Sequence, residues 1–222
     1  MAKKTQENKE ELEQLTATEN FFDKYKKIIF IAGGGLVILV LGFIGYQKFV
    51  VEPKIEEAQD AYWPAFYEWQ FADTTELAYE GNENFLGFAD IASEYSGTPA
   101  GDIANYAMGI HAMEKGEFDD ALSYFEECDF DDIMVGSLTI GLMGDCYVEL
   151  QDYESAAEKF QEAADREPNE FTSPMFLKKL GMVYEALGDK AAAVEAYTRI
   201  KDDWSESVTA ADIDKYIARA EG

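Results

Sequence analysis

Residues 28–46, IIFIAGGGLVILVLGFIGY, run for 19 positions without a charge, with Lys24, Lys26 and Lys27 before them and Lys48 after. A helix rises 1.5 Å per residue, so this run spans about 28 Å, close to the ~30 Å hydrocarbon layer of a bilayer. An amphipathic surface helix would carry a polar face, and this run has none. The run predicts one transmembrane helix over residues 28–47, with a tail at 1–27 and a separate domain at 48–222. A cleaved signal peptide would need a short basic lead and a small-residue cleavage site. Here the lead holds Glu7, Glu10, Glu11, Glu13, Glu19 and Asp23, and the following QKFVVEPKIEEAQ offers no such site, so an uncleaved anchor is expected.

Six lysines precede the run (Lys3, Lys4, Lys9, Lys24, Lys26, Lys27), and only Lys48 and Lys54 follow closely. Basic residues stay on the cytoplasmic side, which predicts a cytoplasmic N-terminus. In a bacterium this makes a single-pass inner-membrane protein with a periplasmic C-terminal domain. Within the span, Gly35 and Gly42 are candidates for close packing against another membrane helix.

Charge is distributed as unevenly as hydropathy. Residues 51–222 carry 11 Lys and Arg against 39 Asp and Glu, a net charge of −28. Such a field repels nucleic-acid phosphates and anionic lipid headgroups, and excludes nucleic acid as a partner. Chemistry is short of parts too. One histidine, His111, cannot build a multi-histidine metal site, and it sits inside a helical pattern as a structural residue. The Gly33–Gly34–Gly35 run lacks the Lys-Ser/Thr of a phosphate loop, and Asp129, Asp131 and Asp132 lack calcium-loop spacing. No catalytic residue, metal or cofactor is expected. Cys128 and Cys146 are either two small buried residues or, in an oxidising compartment, a disulfide.

The domain's architecture shows in its internal period. From residue 137 the chain reads Met143, Gly144, Tyr147, Leu150, Asp152, Tyr153, Ala156, Phe160, Ala163 and Pro168. From 174 the same places hold Leu177, Leu180, Gly181, Tyr184, Gly188, Asp189, Ala193, Tyr197 and Ile200, and from 102 they hold Met108, Gly109, Gly116, Phe118, Ala121 and Phe125. These are the places of a tetratricopeptide repeat, a helix hairpin of 34 residues. Small residues such as Gly144 and Ala156 let helix A and helix B cross closely, with Phe160 filling the space beside them. Gly116, Gln151 and Gly188 fall at the A–B turns. Each hairpin leaves apolar surface that only the next can cover, so the units stack.

Flanking segments extend the array. Pro53–Glu80 reads as helix A of a degenerate first repeat, with Tyr62, Phe66 and Trp69 at helical spacing and a kink at Pro64, and Asn84–Tyr95 as its helix B. Ser205–Glu221 reads as a capping helix, and residues 1–20 as a mobile or weakly helical tail. The expected fold is all-α: one transmembrane helix, then a tetratricopeptide solenoid of about four hairpins with a C-terminal cap.

Function then rests on surfaces. The inner wall of such a solenoid is lined by helix A, whose wall places here are Ile103, Tyr106, Ile110, Met113, Leu138, Gly141, Asp145, Val148, Met175, Lys178, Met182 and Glu185. The apolar eight (Ile103, Tyr106, Ile110, Met113, Leu138, Val148, Met175, Met182) form a candidate partner groove in a domain otherwise rich in carboxylates. Methionines suit adaptable contact with varied segments. The alternative is that the chain's own first or last helix fills the groove.

The layout resembles the YfgM family of single-pass inner-membrane proteins. The resemblance runs from ENFFDKYKK before the anchor, through the Gly-rich anchor and AQDAYWPAFYEW, to FADIASEYSGTPAGDIANYAMGIHAMEKGEFDDALSYFEE. It implies an ancillary subunit of the SecYEG translocon that works with a PpiD-like membrane-anchored chaperone, or meets exported chains as they emerge. A tetratricopeptide scaffold for another envelope assembly, in outer-membrane biogenesis or secretion, is the alternative.

Overall fold

The computed structural model describes residues 24–28, 30–72 and 75–222. The tail over residues 1–20 lies outside them. The chain divides into two compact units, Met1–Pro53 and Lys54–Gly222.

In the first unit, residues 24–28 and 30–46 are helical (α1), and a π-helical turn follows at Gln47–Val51. The most apolar stretch has a mean hydropathy of 2.7, and none of it is buried. The helix is long and apolar enough to be a membrane span or a signal sequence. A Cβ added at Gly35 or Gly42 would meet nothing within 4 Å, so both positions are open along this helix.

The second unit is a run of helical hairpins. Its elements are α2 (Glu52–Phe71), α3 (Glu76–Glu80), α4 (Phe88–Glu94), α5 (Pro99–Lys115), α6 (Phe118–Glu126), α7 (Ile133–Glu149), α8 (Tyr153–Asp165), α9 (Thr172–Leu187), α10 (Lys190–Asp203) and α11 (Ile213–Glu221). Strand among the described residues amounts to β1 (Gly81–Asn82) paired antiparallel with β2 (Phe85–Leu86). Hairpins α5–α6, α7–α8 and α9–α10 are the three full repeats, and α11 caps the last.

Each repeat closes on the same contact. A Cβ added at Gly109 would come within 2.5 Å of the Phe125 ring, one at Gly144 within 2.6 Å of Phe160, and one at Gly181 would overlap Tyr197. Ordinary carbon contacts lie at about 3.5–4.0 Å, so helix A touches helix B only because glycine stands there. The three A–B turns are also alike. Gly116, Gln151 and Gly188 all take positive φ, at 78°, 62° and 78°. The next amide in each case donates to the carbonyl five residues back: Glu117 to Ala112, Asp152 to Tyr147, and Asp189 to Tyr184. This is the Schellman closure of a helix C-terminus. Asp152 and Asp189 then cap the following helices through Ser155 and Ala192 amides.

The first, degenerate repeat departs from expectation. The helix anticipated over Pro53–Glu80 stops at Phe71 and resumes at Glu76. The helix anticipated from Asn84 starts at Phe88, because Gly81–Leu86 folds back as a tight hairpin. Gly81 has φ 72°, and a Cβ on Gly87 would strike the backbone of Gly81 and Tyr79, so both glycines are required. The Asn84 amide donates to Asn82 Oδ1 at 2.7 Å, closing the turn. Pro64 lies inside α2. At the far end, the expected cap is split into a 3₁₀ turn at Val208–Asp212 and α11, which buries Ile213 and Ala220.

Candidate functional site

A periodic set of ion pairs fixes successive hairpins in register. Lys179 reaches Asp145 at 2.6 Å, Arg199 reaches Asp165 at 2.6 Å, Arg219 reaches Glu185 at 2.6 Å, and Lys178 reaches Asp212 at 3.0 Å. All four pairs are separated by 34 residues. Equivalent places on neighbouring repeats therefore carry opposite charges, and three wall places, Asp145, Lys178 and Glu185, are spent on this ladder. Lys178 also lies 4.1 Å from the centre of the Tyr216 ring. Its burial opposes the charge, but hydrogen bonds with Asp212 and Tyr216 outweigh that and raise its pKa above the usual lysine value.

The eight apolar wall residues fall into three settings. Ile103 and Ile110 line a cavity of 240 Å³ together with Tyr106, Ala107 and the α2 aromatics Tyr62, Phe66 and Trp69. Ile103 borders a second cavity of 460 Å³, whose other walls include Ile55, Gln59, Trp63 and Pro99. Tyr106 is half-buried with its ring 6.0 Å from those of Phe125 and Phe130, and burial pushes its phenol pKa up. Val148 and Met182 line a separate cavity of 320 Å³ over Phe160, walled at one side by Lys179 and Asp145. Met113, Leu138 and Met175 are half-buried and wedge against the core: Met113 beside the cluster containing Phe125, the other two beside the cluster containing Phe160 and Tyr197. Gly141, read from sequence as a wall place, is buried, and the Phe176 ring of α9 packs where its Cβ would stand.

The aromatic helix α2 was not among the candidate wall residues, yet it supplies a third of the residues lining the first cavity. Repeats two to four bring helix A onto helix B through Gly109, Gly144 or Gly181, whereas α2 contains no glycine. It packs instead through Ala58, Ala65 and Tyr62, with Tyr62 6.0 Å from Phe88 and 5.5 Å from Phe66. Bulky rings hold the helix off its neighbours, and the two cavities are the space left. Trp69 Nε1 donates to the Tyr79 hydroxyl at 3.2 Å, anchoring the far end. Exposed aromatic surface remains on Trp63, Tyr67, Trp69 and Phe71.

The groups with chemical potential are structural. His111 is buried and stacks on Tyr79 with ring centroids 3.7 Å apart. The cysteines are free; Cys128 Sγ lies 3.5 Å from the carbonyls of Asp102 and Tyr124. Burial pushes the Cys128 thiol up to about 12 and that of Cys146 up to about 11, so neither is a thiolate near neutral pH. Among the described residues, no group of three or more His, Cys, Asp or Glu is arranged to hold a metal ion.

A family model described as tetratricopeptide repeat matches residues 142–207, which run from the middle of α7 through α10. No curated protein matches the chain. Among solved structures, the crystal structure of MamA is similar over 61% of this chain and 83% of its own, at 16% identity and a TM-score of 0.44. The chain contains tetratricopeptide repeats, and their role is that of a scaffold for protein–protein interaction.

Proposed function

We propose that the protein is a non-enzymatic, membrane-anchored adaptor whose repeat domain presents an apolar inner wall to partner proteins. One observation carries this: exposed Ile103 and Met182 and half-buried Tyr106, Ile110 and Val148 line open cavities in a domain whose surface is otherwise dominated by carboxylates. A wall meant only for solvent would carry the charges of the rest of the surface. The anchor is α1, retained and spanning the bacterial inner membrane once through residues 28–47. The N-terminus is cytoplasmic and residues 48–222 are periplasmic, as the lysine distribution favours. Gly35 and Gly42 offer a face for close approach to another membrane helix.

The resemblance to the YfgM family makes the partners the SecYEG translocon and a PpiD-like chaperone, with emerging exported chains as further clients. The extreme acidity of the domain departs from that family's layout. It favours, as a second reading, a scaffold for another envelope assembly. Affinity purification of the full chain from membranes in mild detergent separates the two. SecY and the chaperone as the main co-purifying proteins support the translocon role; outer-membrane assembly or secretion components in their place support the second.

A further inference from the structure

The geometry points to the trough between α2 and α5 as a docking site for a cationic amphipathic helix of a partner protein. The inference rests on the adaptor reading and deepens it by naming the surface and the chemistry of what it holds. The two cavities of 240 and 460 Å³ share Tyr62, Phe66 and Ile103, so they form one depression along α2. Its lining on α2 runs from Ile55 to Trp69, about 21 Å along the helix axis. That matches roughly four turns of a second helix laid beside it.

The chemistry of the lining decides between an extended and a helical occupant. An extended segment must satisfy its own amides and carbonyls when it is buried. The trough's walls are mostly aromatic and aliphatic; Gln59 offers one side-chain amide, too little for an extended backbone, and the Trp69 Nε1 donor is already bonded to Tyr79. A helix brings its backbone bonds with it and needs only an apolar stripe. Charge then selects the helix's outer faces. Residues 52–80 carry eight carboxylates and one cation, Lys54. Lys54 donates to the Ser96 carbonyl at 3.2 Å, and Lys115 of α5 is 3.6 Å from Glu76. Both cations are thus engaged, while Glu56 and Asp60, next in sequence to the lining residues Ile55 and Gln59, stand exposed. An anionic or neutral helix would bring no compensation for this rim, and Lys or Arg flanking an apolar stripe would.

The test uses the full chain in phosphatidylcholine nanodiscs, with empty nanodiscs as control. The probes are two tryptophan-free synthetic helices of about 18 residues with the same leucine stripe, one flanked by lysine and one by glutamate. Two of the protein's three tryptophans, Trp63 and Trp69, border the trough and report binding by fluorescence. The lysine helix is expected to bind, and the glutamate helix to bind at least about a hundredfold more weakly. Ile103→Glu should weaken the lysine helix at least about tenfold, since it charges the one α5 side chain shared by both cavities. The exposed-rim variant Glu56→Gln/Asp60→Asn leaves the apolar lining intact and should flatten the salt dependence. Equal binding of both helices, no binding of either, or binding indifferent to Ile103→Glu overturns the inference. So does quenching of Trp63 and Trp69 by brominated lipid, which would put the face on the bilayer, or concentration-dependent loss of the site, which would assign it to a second copy. If the probes fail while partner proteins still co-purify, the adaptor role stands and only this site falls.

Discussion

Replacing Gly144 with leucine puts the repeat geometry to a quantitative trial. An added Cβ would lie 2.6, 2.7 and 3.0 Å from three carbons of the Phe160 ring, roughly 1 Å inside normal contact. Phe160 is 1% exposed, so the ring can yield only into the cavity it borders or by moving α7 from α8. Overpacking of this kind costs about 1–3 kcal/mol, and leucine in a helix interior recovers about 0.8 kcal/mol over glycine. The net loss is about 0.2–2.2 kcal/mol, which for a unit of this size lowers Tm by roughly 0.5–9 °C. Thermal unfolding of the full chain, followed by circular dichroism at 222 nm, reads the shift. Phe160→Ala alone should cost about 3–5 kcal/mol by leaving a cavity. In the double variant the leucine enters that cavity, so the two changes should be non-additive by at least about 1 kcal/mol. Unchanged stability in Gly144→Leu, or simple additivity in the double variant, would refute the proposed A–B contact.

Gln151 holds the αL position that glycine holds in the sister turns, so Gln151→Gly should raise stability by up to about 1 kcal/mol in the same melts. Lys179 and Asp145 are both partly exposed, and a double-mutant cycle with Lys179→Gln and Asp145→Asn should return a coupling of about 0.5–1 kcal/mol that shrinks in high salt. Burial raises both thiol pKa values, so the fold favours the protonated form. The stability they contribute is complete below the ordinary thiol pKa and is lost as pH rises through 11 and 12. A disulfide-exchange reagent at pH 8 should therefore label Cys128 and Cys146 slowly in the native protein and at once after denaturation. Protease added outside the inner membrane should remove residues beyond about 50 and spare the tail; the reverse pattern would invert the proposed orientation.

The three full repeats were legible because their constraints are local and periodic. Gly144 and Phe160, or Gly181 and Tyr197, are 16 residues apart in one hairpin, and the αL turns follow helix A at a fixed offset. The first repeat was harder to read because its signals conflict. Residues 53–80 keep helical spacing throughout, yet the chain breaks after Phe71, and Gly81 and Gly87 demand a close backbone approach that periodicity does not reveal. The inner wall was half legible. Helix A places share a face by their spacing, but place alone does not say what the neighbouring hairpin inserts there. Gly141 shows this: its missing side chain made room for Phe176. Lys178 shows it again, since its partner Asp212 comes from the capping segment. The α2 aromatics Tyr62, Phe66 and Trp69 are legible as a helical face, but their place beside the α5 wall is not; its sign is a glycine-free helix A that also carries Trp63 and Tyr67.

Site-specific photo-crosslinking in intact cells tests the central claim most directly. A photoreactive residue at Ile103 probes the inner wall, and one at exposed Glu158 on α8 probes the outer face. The account predicts discrete protein adducts from Ile103, reduced when Trp69 is changed to alanine, and few or none from Glu158. Adducts from Glu158 with none from Ile103 would contradict it, and would move the working surface to the outer face of the repeats.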